Sequence, residues 1–248
     1  MVEFSTESPL KNIRFPSRLL WGSKVPKEVR IGVLGDLHAP WVHWKSVRRA
    51  ISVLKELKPN LIVQVGDARD LYSFAKFPRS HNVITPLEEL KRGTKCLEEV
   101  FGSLREACPR ARVVMLMGNH DIRPHKRIVE SAPENESLLG LFDYYKFEGV
   151  ETITDDTWFY GGMCFTHGWR SKLGDHASHA RMSVICGHSH RGGVVYMRDG
   201  KRTIWELNAG HLADPHTPNM SYAKQRTFAT WTHGLGWIDS HGPRFIPL

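Results

Sequence analysis

Three times in its first half this chain writes a short apolar run that ends on glycine followed by a polar residue. Residues 29–36 read Val-Arg-Ile-Gly-Val-Leu-Gly-Asp, residues 61–67 read Leu-Ile-Val-Gln-Val-Gly-Asp, and residues 112–119 read Arg-Val-Val-Met-Leu-Met-Gly-Asn. A near-continuous apolar run of this kind reads as a strand buried on both faces that delivers a polar group at its carboxyl end. Between the first two runs, Val47, Ala50, Ile51, Leu54 and Leu57 recur at the spacing of one helical face, and Pro59-Asn60 stops that helix. A second helix is expected over about residues 87–107, with Pro109 behind it. Strand-helix alternation of this sort requires parallel strands joined by helical crossovers. Ligands of such sheets bind outside the carboxyl ends of the strands, which is where Asp36, Asp67 and Asn119 fall.

From about residue 157 the pattern changes to shorter strands and tight turns. Residues 158–160 and 163–166 flank Gly161-Gly162 as a hairpin, and 183–186, 194–198 and 203–207 follow, the last two joined by Asp199-Gly200. Further strands are expected over 227–232 and 236–239. The expected fold is therefore α/β, with a parallel first half and a mixed or antiparallel second half. One domain over residues 29–248 is expected, with no linker and no repeat. Residues 1–28, which carry three prolines, are expected to form an arm anchored by Phe15, Leu19, Leu20 and Trp21.

Composition excludes several classes. The four cysteines, Cys96, Cys108, Cys164 and Cys186, form no C-x-x-C pair, which argues against a disulfide framework or a zinc finger and fits a reducing compartment. The first residues are polar and acidic, unlike a secretion signal, and no stretch approaches the ~18 apolar residues of a membrane span. A soluble, cytoplasmic protein with no membrane partner is expected. Lys and Arg number 34 against 26 Asp and Glu, a net charge of +8. Such a balance either draws polyanionic or phosphorylated partners or serves solubility.

Five blocks carry chemistry, in this order: Asp36-Leu-His38; Gly66-Asp67-Ala-Arg-Asp70; Gly118-Asn119-His120-Asp121; His167-Gly168; and Gly187-His188-Ser-His190. Each alone is common. Together, each directly after a strand-like run, they place carboxylate, imidazole and amide donors at strand ends, a mixture suited to first-row divalent metals rather than calcium.

The ordered set D-x-H, G-D-x-x-D, G-N-H-D, H-G and G-H-x-H resembles the calcineurin-like metallophosphoesterase superfamily, Mre11/SbcD-type phosphodiesterases included, across residues 31–191. That resemblance implies a four-layer α/β/β/α sandwich and two divalent metal ions. Manganese is the first choice, with iron, nickel, zinc and magnesium open. It implies Asp36, His38 and His190 on the first metal, Asn119, His167 and His188 on the second, and Asp67 bridging both. His120 would face the substrate and assist the leaving group while a hydroxide shared by the two ions attacks; an unperturbed histidine has a pKa suited to that task. Asp121 would orient His120, or else cap a helix beginning near Ile122. Asp70 is either a partner of the site or a turn residue.

The substrate is less sharply written. The protein phosphatase pattern G-D-x-V-D-R-G with G-N-H-E is not matched, and the long capping region of Mre11-type nucleases is absent. The loop after Asp67 interleaves Arg69, Lys76 and Arg79 with Tyr72, Phe74 and Phe77. Cations beside flat faces suit a nucleotide or single strand, although aromatics also anchor loops on a core. Arg69, Tyr72 and Arg123 are the expected substrate-binding residues, Arg123 alternatively being a surface residue at a helix start. His211 either reaches the rim of the site or is an ordinary loop histidine. The expected partner is a phosphoester, nucleic acid or nucleotide-like; the sequence does not state the oligomeric state. The expected activity is phosphodiester hydrolysis, with a phosphomonoesterase or a catalytically silent metal-binding module as alternatives.

Overall fold

Alternate residues of the motif-bearing strands face two different cores. In β1 (Ile31–Leu34), Ile31 and Val33 point one way and Leu34 the other; in β2 (Leu61–Gln64), Leu61 and Val63 oppose Ile62; in β3 (Arg112–Leu116), Val114 and Leu116 oppose Val113 and Met115. All of these side chains are buried, which is why the sequence shows runs rather than alternation. On one face lie α1 (Trp44–Leu57), through Val47, Ala50 and Leu54, and α2 (Pro86–Ala107), through Leu97, Val100, Phe101 and Leu104. Both helices lie where their apolar periodicity put them. Thr85 caps α2 by accepting from Glu88 N at 3.3 Å, with Pro86 at its first turn.

The computed structural model describes residues 29–76, 84–132, 134, 141–220 and 230–248. The expected arm over residues 1–28 and the first half of the strand expected over 227–232 lie outside the described residues, as do Phe77 and Arg79; residues 230–232 are turn and irregular backbone rather than strand. α3 is Arg123–Ser131 and β4 is Val150–Ile153. The remaining elements are β5 (Thr157–Tyr160), β6 (Met163–Thr166), α4 (Asp175–Ala180), β7 (Val184–Cys186), β8 (Gly193–Asp199), β9 (Arg202–Asn208), β10 (Gly234–Asp239) and β11 (Gly242–Pro247).

Two sheets result, ordered β11-β10-β1-β2-β3-β4 and β5-β6-β7-β9-β8. Strands β1 to β4 run parallel, with Val33 opposite Val63 and Val63 opposite Val114. The second sheet is mixed: β6, β7 and β9 are parallel, whereas β5 and β8 are antiparallel to their neighbours. Its Met163, Phe165, Ile185 and Leu207 pack on the inner face of the first sheet. Its outer face carries Cys164, Val184 and Cys186 against Ala177 of α4. The layers are therefore α/β/β/α, the fold class the motifs implied.

Two strands were not visible in the sequence. β4 reads Val-Glu-Thr-Ile and is only part-buried at the sheet edge, so it lacks an apolar run. β11 holds Pro243 and Pro247, which edge strands tolerate but which interrupt a strand signal. β10 and β11 also bring the end of the chain back beside β1 in antiparallel sense. Antiparallel pairing is thus not confined to the second sheet; Leu235 and Trp237 of β10 complete the helix-side core.

Candidate metal centre

The carboxyl ends of β1, β2 and β3 and the loops after β6 and β7 meet at one edge of the two sheets. The first two loops are tied directly, Leu37 N and His38 N both donating to Asp67 O at 3.1 and 3.0 Å. Gln64 closes the glycine turn before Asp67, its side chain bonding Gly66 O at 2.6 Å and Gly66 N at 3.1 Å. The loops after β6 and β7 are joined by Gly187 N to His167 O at 3.0 Å. Four chemistry-bearing residues take the left-handed backbone that side chains disfavour: His38 (φ 51°), Asp67 (φ 52°), His188 (φ 67°) and His190 (φ 59°). Each such residue costs about 1 kcal/mol or more, and this strain is concentrated where the donors converge.

Two donor sets form there. In one, His190 Nε2 is 2.9 Å from Asp36 Oδ2 and 3.2 Å from His38 Nε2. In the other, Asn119 Oδ1 is 3.0 Å from both His167 Nε2 and His188 Nδ1, and those two nitrogens are 3.3 Å apart. Asp67 Oδ2 lies between them, 3.1 Å from His167 Nε2 and 3.9 Å from His38 Nε2. With metal–ligand bonds of about 2.0–2.2 Å, neighbouring donors on one ion stand roughly 2.8–3.6 Å apart, so both sets have the spacing of a coordination shell.

The protonation pattern makes the same point. His167 Nδ1 is 3.0 Å from Val65 O, a pure acceptor, so in the neutral ring the proton sits on Nδ1 and Nε2 is a bare lone pair. That lone pair faces the oxygens of Asn119 and Asp67. Likewise His38 Nδ1 bonds Asp70 Oδ2 at 3.0 Å, which leaves Nε2 bare and directed at His190. Acceptors facing acceptors in a buried site need a cation between them, and the residues present fit divalent metal. The crowding also sets ionisation. Burial would raise the Asp36 carboxyl, but His190 and His167 hold it at about 2; against burial, Asp67 and Asp36 push His167 up to about 10, so that these carboxylates draw a second proton onto Nε2 wherever no metal takes that place. Burial and the neighbouring His167 push His188 down to about 4.

A protein-family model described as calcineurin-like phosphoesterase matches residues 29–192. The chain belongs to that family. It is a metal-dependent phosphoesterase, a hydrolase acting on ester bonds of phosphate. Among curated proteins none matches. Solved structures similar to this calcineurin-like chain include Yfce, a phosphoesterase from E. coli, at 15% identity and a TM-score of 0.39, covering 86% of this chain and 89% of that one. The Pseudomonas putida nuclease MPE is 15% identical with a TM-score of 0.36, covering 88% and 86%. A dimetal phosphatase from Danio rerio is 10% identical with a TM-score of 0.42, covering 88% and 98%.

Around the donor sets of this calcineurin-like phosphoesterase, the structure distributes the remaining residues differently from the sequence reading. His120 is buried beside them, its backbone N bonding Asp67 Oδ1 at 2.8 Å and its ring edge-on to His38 at 4.5 Å. Its Nδ1 donates to Asp70 O at 3.1 Å, and its Nε2 accepts from Arg123 Nη2 at 2.9 Å. Arg123 is thus at the site rather than a bystander, with Nη1 held by Asp70 O and Oδ1 at 2.8 and 3.1 Å.

Asp121 does not orient His120. Its carboxylate accepts from Gly118 N at 2.8 Å, Arg69 N at 2.8 Å, Ala68 N at 3.2 Å and Tyr145 Oη at 3.2 Å, so it laces the second loop to the third. Nor does it cap α3, whose N-cap position is Ile122. Burial and repulsion from Asp67 raise its carboxyl to about 6. Orientation of His120 falls instead to Asp70. Arg69 is a second correction. Its guanidinium turns away from the donors to bond Leu90 O, Thr94 Oγ1 and Tyr144 O, over the rings of Tyr145 and Phe147. With 1% exposure it can touch no substrate. Tyr72 is also buried, edge-on to Trp41, because Glu89 of α2 captures its N–H at 2.6 Å and pulls the loop onto the core.

Four participants had no clear sequence signal. Asn219 donates to Asp70 Oδ2 from a distant 3-10 turn, and Trp231 packs edge-on to His190 with centroids 4.2 Å apart. His211 stacks on His190 at 4.9 Å, its own loop bound to the first by Leu212 N to Asp36 O at 2.8 Å. Trp169 lines a cavity of about 190 Å³ with Lys126, Thr154 and Asp156, floored by Asn119 and His167.

Proposed function

We propose that this calcineurin-like enzyme hydrolyses phosphodiesters of nucleic acid or nucleotide-like compounds. Asp36, His38 and His190 would hold one ion and Asn119, His167 and His188 the other, with Asp67 as the carboxylate common to both. Manganese suits the mixed oxygen and nitrogen donors. Bound there, the two ions supply a water of lowered pKa and neutralise charge developing on the phosphoryl oxygens. The chain's own residues do the rest. Asp70 holds one proton of His120 on Nδ1, so a doubly protonated ring gives its Nε2 proton to the leaving oxygen and returns to the neutral form. Arg123 occupies that nitrogen at 2.9 Å, and an arriving phosphate oxygen is the anion that would draw the guanidinium off it.

The observation that carries the diester reading is a cavity lined by Asn119 and His167 but by neither His120 nor Arg123. The His120–Arg123 side serves one ester arm, while the Trp169–Lys126 cavity, floored by the second donor set, can take another organic group. A monoester has only one such arm. The flat ring and the ammonium there suit a base and its phosphate. The test is manganese-loaded protein incubated with bis-p-nitrophenyl phosphate and with p-nitrophenyl phosphate. Turnover of the diester is expected; strong monoester turnover with none of the diester would overturn the proposal in favour of a phosphomonoesterase.

A further inference from the structure

Behind the second donor set, between β9 and α4, lies a wholly buried cluster of His176, Cys186 and Glu206. Its residue types suit a third metal, but its hydrogen bonds do not. His176 Nε2 is 3.1 Å from both Trp169 N and Arg170 N, and backbone N–H groups can only donate. The Nε2 lone pair is therefore occupied, and the proton sits on Nδ1, which bonds Glu206 Oε1 at 3.1 Å. Glu206 Oε2 accepts from His176 N and Ala177 N at 2.8 and 2.9 Å. Both His176 ring nitrogens and both Glu206 oxygens have partners, so the cluster holds no metal.

What it does hold is a loop. Trp169 and Arg170 directly follow His167-Gly168, and the His176 ring packs so closely over Gly168 that a Cβ there would stand 2.9 Å from Nε2. Two residues along the same face of β9, Asn208 donates to Gly187 O at 2.6 Å and Ser189 Oγ at 3.1 Å, gripping the loop of His188 in the same way. One strand thus braces both histidine loops of the second donor set.

We propose that Glu206 and His176 are positioning residues for that set, acting through the 167–170 loop on His167 and on the Trp169 wall of the cavity. This rests on the reading that Asn119, His167 and His188 hold an ion. The backbone N–H groups of Trp169 and Arg170 lose their common acceptor when His176 is removed, and the loop can then turn His167 away from Asn119.

The experiment is a Mn²⁺ titration followed by electron paramagnetic resonance on wild type, His176→Ala, His176→Gln and Glu206→Gln, with circular dichroism and Tm recorded for each. Wild type is expected to bind two ions. His176→Ala should weaken one of them about tenfold or more while leaving the other within about twofold, the size of effect typical of groups that orient metal ligands. Glutamine, whose carbonyl can reach the same two N–H groups, should restore most of the loss. Equal binding of both ions in a folded His176→Ala overturns the proposal, and so does equal weakening of both. A Co²⁺ thiolate band abolished by Cys186→Ser would overturn it by making the cluster a metal site. Failure of wild type to bind a second ion would overturn the underlying metal reading itself, a distinct result.

Discussion

Asp70 Oδ2 lies 3.0 Å from His38 Nδ1, and through that contact a buried carboxylate decides which nitrogen of His38 faces His190 in the first donor set. The same residue accepts from His120 Nδ1 at its carbonyl and from Arg123 at Oδ1. Asp70 thus ties the first donor set to His120 and Arg123, through its carboxylate to His38 and Arg123 and through its carbonyl to His120. Its carboxyl is held far below the usual range: burial opposes ionisation, but His120 and His38 outweigh it. Asp70→Asn retains the shape and removes the charge. It is expected to fold, to bind metal about 10–100-fold more weakly and to lose turnover accordingly, read by metal titration and diester assay.

His120→Ala should keep both ions and lose about 10²–10⁴-fold in kcat, the usual contribution of a positioned acid or base. Metal stoichiometry measured beside turnover separates this from a damaged site. Undiminished turnover would remove His120 from the reaction. Arg123→Ala is expected to act mainly on KM, since its guanidinium offers charge to the phosphate.

Arg69→Ala tests the correction made above. Its guanidinium bonds three oxygens in a buried setting, so truncation should cost about 2–3 kcal/mol of stability. Denaturant melts should show the loss while KM of the folded fraction stays unchanged. A raised KM with unaltered stability would return Arg69 to the substrate.

Gly118→Ala should disable the site without touching a donor. A Cβ at Gly118 would stand 2.1 Å from Asp67 Oδ1 and 2.2 Å from Asp67 N, backbone and ligand that cannot both retreat. The expected cost is about 1–3 kcal/mol of stability together with lost metal affinity, seen as a lower Tm and a smaller rise in Tm on adding Mn²⁺.

Glu206 provides a pH signature. Although burial opposes it, the His176 and Ala177 hydrogen bonds lower its carboxyl below the ordinary 4.5. A carboxylate depressed in the folded state contributes stability that is complete above its unfolded pKa and is lost as pH falls through the folded one. In chelator, the Tm gap between wild type and Glu206→Gln should therefore be constant above about pH 4.5 and close below it. A gap that widens on acidification would contradict the assignment.

Much of this centre was legible along the chain because its donors are delivered locally. Asp36, Asp67 and Asn119 each end an apolar run, and a buried parallel strand can place such a residue only at its carboxyl edge. His38, His188 and His190 lie within two or three residues of glycine turns, so local spacing already grouped them with the strand ends. What only the tertiary structure decided were the orientations that long-range contacts impose. Whether Asp70 or Asp121 faces His120, and whether Arg69 points to substrate or to Tyr145, depends on partners 24 to 75 residues away in the chain. Glu206, Asn208 and Asn219 carry no motif, because a hydrogen bond between segments distant in the chain leaves no periodic trace in sequence. The donors were written by strand ends; the groups that aim them were set by packing.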